Sequence, residues 1–326
     1  MKLKHQIKSI AVVLLLATAQ LANAAQPAPA TQKTVAQRAA AQKVFATPEE
    51  AAKALTEALR KDDKNLLLAV IGQSSGNWLS SGDEIEDRRE KEKFIAAYDR
   101  KSSISEATTG DKAFLLVGED DWPFPAPIVR KGKGWIFDAV AGREEIINRR
   151  VGKNELDTIQ TLLAVVDAQR EYAAGDLDGN GYHDYARHFI SSKGKKDGLY
   201  WPVQAGEPLS PLGPLVGAAA REGYGKKSGG GKSSGKPPAY HGYRYRLLEA
   251  QGKGAPGGAY SYLVGGKMIG GFAIVAYPAK YGVSGVMTFL VNHDGVVYQR
   301  DLGKSTEADA LAMRRFNPDP SWKKAQ

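Results

Sequence analysis

Residues 154–173, NELDTIQTLLAVVDAQREYA, decide the fold. Asn154 is a residue type that caps helices, and Leu156, Ile159, Leu163 and Val166 recur at helical spacing with Leu162 beside them. The spacing predicts a helix over 155–173 with one apolar stripe. That stripe needs a partner. Downstream, residues 240–250, 268–277 and 286–301 read as strands, and Asp294-Gly295 within the last marks a hairpin. A long helix laid across an antiparallel sheet buries one face of each. A short helix is expected over 306–315.

Upstream, Thr47-Pro48-Glu49-Glu50 combines an N-cap, a proline for the first helical position and the acid of a capping box. Ala51, Ala52, Leu55 and Leu59 follow at helical spacing. A Leu-rich second helix is expected over 65–71, and a charged third over 83–100 that turns Ile85, Phe94, Ile95 and Tyr98 inward. Strands are expected at 113–117, 126–130 and 134–139, the last two joined through Lys131-Gly132-Lys133-Gly134. Helices followed by antiparallel strands make this first unit α+β, and residues 144–153 join it to the second.

The N-terminus reads as a secretory leader over 1–24. Lys2, Lys4 and Lys8 precede the apolar run Ile10–Leu16, and Ala22-Asn23-Ala24 supplies small residues for cleavage. That run is too short to span a bilayer, and no later segment is apolar enough, so the mature chain is expected to be exported, periplasmic or extracellular, without a transmembrane segment. An Ala/Gln/Pro-rich stretch, 25–44, reads as a spacer. The chain has no cysteine, which excludes disulfides and thiol chemistry. Its formal charge of +9 falls by three when the leader's lysines are removed. Outside the cytoplasm, such a balance suits anionic envelope polymers or phospholipid headgroups rather than nucleic acid.

Five stretches carry a family resemblance: GREEIINRRVGKNELDTIQTLLAVVDAQREYA, DGLYWP, SPLGPL, YHGYRYRLL and YGVSGVMTFLVNHDGVVYQRDLG. They resemble domain-of-unknown-function family 2950, a family of exported bacterial proteins, which carries no activity over. The opening helices with WPFPAPIV and KGKGWIFD resemble the nuclear transport factor 2-like cone fold, implying a curved sheet around a hollow over 45–148. Asn154, Glu155, Gln169, Tyr172, Ala276, Pro278, Tyr281, Gly282, Gly285, Thr288 and Phe289 are similar in pattern to type IV pilin and pseudopilin headgroups. This likeness implies a helix-on-sheet unit over 149–326, interrupted by a Gly/Ser/Lys-rich loop at 225–238. The leader is of the ordinary kind and not the pilin kind, which runs directly into an apolar helix.

Candidate chemistry is sparse. Asp176-Leu177-Asp178-Gly179-Asn180-Gly181 matches the first half of a calcium loop, with Asp184 at the ninth position, so Asp176, Asp178, Asn180 and Asp184 are candidate Ca2+ ligands. The twelfth position is Arg187 in place of the bidentate glutamate. The same residues also make a turn after a helix. Trp78, Tyr98, Phe114, Trp122, Trp135 and Phe137 either line the first unit's hollow or fill its core; Trp78, Tyr98, Trp122 and Trp135 are the candidate ligand residues. Gly229–Pro238 fails as a phosphate loop, because Lys226 stands where the opening glycine belongs and prolines follow. No nucleophile elbow and no H-E-x-x-H helix occurs. A strand over 240–246 would set His241, Tyr243 and Tyr245 on the long helix and Arg244 and Arg246 in water.

These readings point to a non-catalytic binding or accessory protein of the cell envelope, with an envelope protein or polymer as partner. Two alternatives stand beside it: a hydrolase of envelope polymers using acids in the hollow, and an accessory of a secretion or pilus system.

Overall fold

The computed structural model describes residues 42–225 and 237–325. The expected leader, most of the spacer and the centre of the Gly/Ser/Lys-rich loop lie outside the described residues. The chain opens with α1 (Pro48–Arg60), α2 (Lys64–Ile71) and α3 (Glu84–Arg100). Their caps are local chemistry. Thr47 accepts from Glu50 N–H (3.2 Å), Asp63 from Asn65 and Leu66 N–H, and Asp83 from Glu86 N–H (3.1 Å).

Strands β1 (Ser102–Glu106), β2 (Lys112–Val117), β3 (Trp122–Pro123), β4 (Ile128–Lys131) and β5 (Gly134–Phe137) form one antiparallel sheet in the order β1-β2-β4-β5, with β3 also on β2. The β4–β5 register brings Lys131 opposite Gly134, the expected two-residue turn. The polar strand β1 was not foreseen; it is held by its pairing with β2 and buries no side chain fully.

The long helix α4 (Ala139–Ala173) starts well before the expected 155. Asp138 caps it by accepting from Val140 and Ala141 N–H. Asn154 is therefore no cap: it is buried inside the helix and donates from its amide to Ser284 O (2.9 Å). Of the expected apolar stripe, Leu162 and Val166 are buried and Ile159 and Leu163 pack against the same core, but Leu156 does not. Leu156 is 64% exposed, and the buried face runs through Thr158, Thr161, Leu162, Val165, Val166, Gln169 and Tyr172. The helix spans the expected junction without a break.

The region after α4, expected to be loop, contains β6 (His188–Ile190) parallel to β7 (Gly198–Tyr200) and α5 (Gly213–Arg221). Then come β8 (Tyr243–Leu248), β9 (Ala250–Gln251), β10 (Tyr260–Ser261), β11 (Ala273–Pro278), β12 (Met287–Asn292), β13 (Tyr298–Asp301), α6 (Thr306–Ala312) and β14 (Lys323–Lys324). The second large sheet is antiparallel, in the order β14-β13-β12-β11-β8, while β9 and β10 pair separately. The architecture is α+β: the first half of α4 packs on the core around Leu55, Leu115 and Phe137, the second half on the core around Tyr243, Phe272 and Phe289.

The motif arginines depart from expectation. Tyr243 and Tyr245 do face α4, where Tyr245 approaches Thr158 (3.4 Å). Arg244 and Arg246, however, do not stand in water. Arg244 donates to Pro237 O (2.9 Å) and Ala279 O (3.0 Å), and Arg246 donates to Ala310 O and Met313 O at the end of α6. Carbonyls left free by a helix end and a turn take the place of water.

Candidate functional site

A hollow of about 1020 Å³ lies between α1–α3, the first sheet and α4. That is at the upper end of the ~300–1,000 Å³ usual for small-molecule pockets. Leu55, Leu59, Leu67, Trp78, Phe94, Val117, Phe124 and Ile146 form the apolar part of its lining, and charged side chains including Lys64, Arg100, Arg149, Arg150 and Lys153 complete it. Phe124 is set between Phe94 (ring centres 5.4 Å) and Phe137 (5.9 Å).

Of the four aromatic candidates, the structure brings two to the hollow. Trp78 is buried in its wall, and Trp122 lies 41% exposed in its lining with the Arg149 guanidinium 5.0 Å from its ring. Tyr98 is half-buried and packs against the core beside Phe94 instead. Trp135 is buried elsewhere on the sheet. It exchanges backbone hydrogen bonds with Phe45 and carries the Arg130 guanidinium 4.5 Å from its ring. Phe114 has the wrong parity on β2, whose buried residues are Ala113, Leu115 and Val117.

Among the cations of this lining, Arg150 went unforeseen. Arg150, on α4, donates to Trp78 O (2.9 Å) and makes no ion pair among the described residues. Burial pulls its guanidinium below the usual arginine range, and Asp87 and Glu90 offset that only in part. An arginine in a helix of mixed charge reads as a solvated side chain, so spacing alone gives no signal for it.

Beside it the floor is a closed network of charge. Glu86, only 5% exposed, meets Lys153 (2.8 Å) and Arg89 (3.3 Å); Lys153 also meets Asp157 (3.0 Å), and Arg89 meets Glu222 (2.7 Å). Burial works against the Lys153 ammonium, but Glu86 and Asp157 more than offset it and hold it above the usual lysine value. His241 sits between Asp157 (3.5 Å) and Glu222 (3.6 Å). Asp83 Oδ2 accepts from Tyr224 O–H (2.8 Å) and Gly242 N–H (2.9 Å). Burial nevertheless pushes the Asp83 carboxyl above its ordinary value.

This shift has a sign that can be checked. A folded pKa above the unfolded one means that wild type gains stability as pH falls through the folded value, whereas Asp83→Asn has nothing to titrate. The variant is expected to lose about 1–2 kcal/mol at neutral pH, because the amide matches only some of the donors around it. The wild-type advantage in Tm should widen from pH 7 to about pH 4. A gap that narrows on acidification contradicts the assignment.

The Asp/Asn/Gly loop after α4 is tied into itself. Asp176 accepts from Asn180 N–H (2.8 Å) and Gly181 N–H (2.9 Å), and Asn180 Nδ2 donates to Asp178 (2.8 Å) and Asp184 (3.1 Å). Gly179 and Gly181 take positive φ, as a tight turn requires. Lys267 donates to Asn180 O (2.9 Å), and Arg187, at the loop's twelfth position, pairs with Glu249 (2.9 Å). Backbone and amide N–H groups of the loop itself thus satisfy its carboxylates. No group of three or more acids or histidines among the described residues could hold a metal ion. Tm is expected to agree within about one degree in calcium and in chelator; a clear rise with calcium would show that the loop binds it.

An α+β chain organised around a ligand-sized hollow is what the fold and the site define. The chain belongs to the family described as protein of unknown function (DUF2950), whose model matches residues 42–325. No curated protein and no solved structure matches it. Among the described residues no helix is long and apolar enough to cross a membrane.

Proposed function

We propose that this is a non-catalytic, exported binding protein of the bacterial cell envelope, and that its hollow takes an amphipathic anion. The apolar tail lies among Leu55, Leu67, Phe94 and Phe124, and the anionic head meets Arg150. The carrying observation is Arg150 itself, a half-buried guanidinium with no ion pair among the described residues, standing beside the apolar part of the hollow's lining. A cation removed from water attracts an anion more strongly than one at the surface. The same chemistry is that of a phospholipid or lipid-acid headgroup with its tail, which fits an envelope protein. Three helices and an antiparallel sheet lining one hollow support the cone-like reading of 45–148, and α4 on β11 and β12 supports the helix-on-sheet reading of 149–326.

Binding is favoured over hydrolysis because four of the acids that line the hollow already hold partners. Asp62 pairs with Lys91 (2.5 Å), Glu90 with Lys93 (3.0 Å) and Glu86 with Lys153, while Asp87 accepts from Ser80 and Ser81. The test is a titration with dodecanoate followed by the fluorescence of Trp78 and Trp122. A saturable change is expected for dodecanoate and not for dodecylamine. No saturation, or equal response to both, contradicts the proposal. Export is part of it: the protein isolated from cell envelopes is expected to begin at Ala25, and an intact N-terminus contradicts that part.

A further inference from the structure

A second groove, about 710 Å³, runs between β8 and β6, remote in sequence from the hollow's lining. Its walls are two strand edges. On β8, Tyr243 exchanges backbone hydrogen bonds with Tyr240 (2.8 and 3.1 Å), so its N–H and C=O point away from β11. Period-two alternation turns the same groups of Tyr245 and Leu247 the same way. Pro278 opposite Tyr243 agrees, since proline has no N–H to give at that pair. Past Leu247 the edge is closed again, where Glu249 O accepts from Tyr262 N–H (2.9 Å). Between these two closures, the backbone groups of Tyr245 and Leu247 have no partner among the described residues.

The facing edge matches. Ser191 N–H donates to Tyr200 O on β7 (2.8 Å), so His188 and Ile190 turn their backbone groups away from β7; both line the groove. An extended chain laid between them would find donors and acceptors on both sides and would join the two sheets. Exposed strand edges of this kind are normally covered or charged against pairing.

The charge selects the occupant. Arg187, His188, Arg246 and Arg314 line the groove against Glu249, which Arg187 already pairs. Arg246 Nε is buried without a hydrogen-bond partner. Burial and the neighbouring Arg314 both hold the Arg246 guanidinium below its usual range. Two arginines crowd one face of the slot, and an incoming strand presents alternate side chains to that face.

The geometry points to β-strand addition: the slot between β8 and β6 binds an extended peptide segment of a partner protein that carries acidic residues at alternate positions.

The test uses the full mature protein and short fluorescent peptides alternating glutamate or lysine with valine. Fluorescence anisotropy is expected to show saturable binding of the glutamate peptide, at least about tenfold tighter than the lysine peptide. Arg314→Glu should reverse that preference while leaving dodecanoate binding in the hollow unchanged. N-methylation of alternate peptide nitrogens should abolish binding in one register and spare it in the other, which a purely ionic contact would not show. Equal binding of both peptides, insensitivity to N-methylation, or no binding overturns the proposal. A concentration-dependent dimer lost in Arg314→Glu, with no peptide bound, would assign the edge to a second copy and overturn it as well.

Discussion

Gly285→Ala is expected to cost about 4 kcal/mol of folding stability, or to leave the protein insoluble. A methyl group built on Gly285 would stand 2.1 Å from Tyr243 Oη and 2.4 Å from Cζ. The ring cannot retreat. Tyr243 is fully buried, packs on Phe289 (ring centres 5.7 Å) and donates from its hydroxyl to Met287 O (2.9 Å). The surroundings are equally tight. Asn154 donates to Ser284 O, Glu155 Oε1 accepts from Val286 and Met287 N–H (2.9 Å each), and a Cβ on Gly242 would meet Asn154 Nδ2 at 2.3 Å. This knot fastens the middle of α4 to the start of β12. Urea denaturation at neutral pH checks the value; a loss below about 1 kcal/mol would mean that the ring yields and the knot is loose.

Arg150→Met is expected to weaken dodecanoate binding by roughly 50-fold while leaving dodecanol binding within about twofold. Methionine keeps the apolar stem of the side chain but removes the charge and the donors. Stability should move the other way or not at all. The substitution gives up one hydrogen bond to Trp78 O but also removes a half-buried cation with no ion pair among the described residues, and replacing poorly compensated charge by apolar volume is often neutral or stabilising. An unchanged or higher Tm together with the lost affinity separates a binding residue from a folding one. Equal loss for the acid and the alcohol would place Arg150 outside the head-binding role. Isothermal calorimetry with both ligands decides it.

Much of this fold is legible where the chemistry is local. The cap at Thr47, the Lys131–Gly134 turn and the Asp294-Gly295 hairpin each rest on residues a few positions apart. Long-range use of the same residue types is not legible. Asn154 and Glu155 have the look of a helix start, yet they serve β12 and its preceding loop from the interior of α4. Leu156 falls on a plausible stripe but faces solvent, because the second core approaches from the Thr158–Leu162 side. The hollow was foreshadowed by its aromatic residues, but choosing among them needed strand parity and register. Trp135 is withheld from it by pairing with Phe45, and Phe114 by facing the other side of β2. Arg150 could not be singled out at all, since its meaning comes from its bond to Trp78 O and its place in the lining of the hollow.

The most direct measurement is a crystal structure of the protein with a fatty acid brominated near the end of its tail, read by anomalous scattering. The bromine is expected between Phe94, Phe124 and Leu67, with the carboxylate within hydrogen-bonding distance of Arg150. Bromine density only outside the hollow, or a carboxylate turned away from Arg150, would contradict the account.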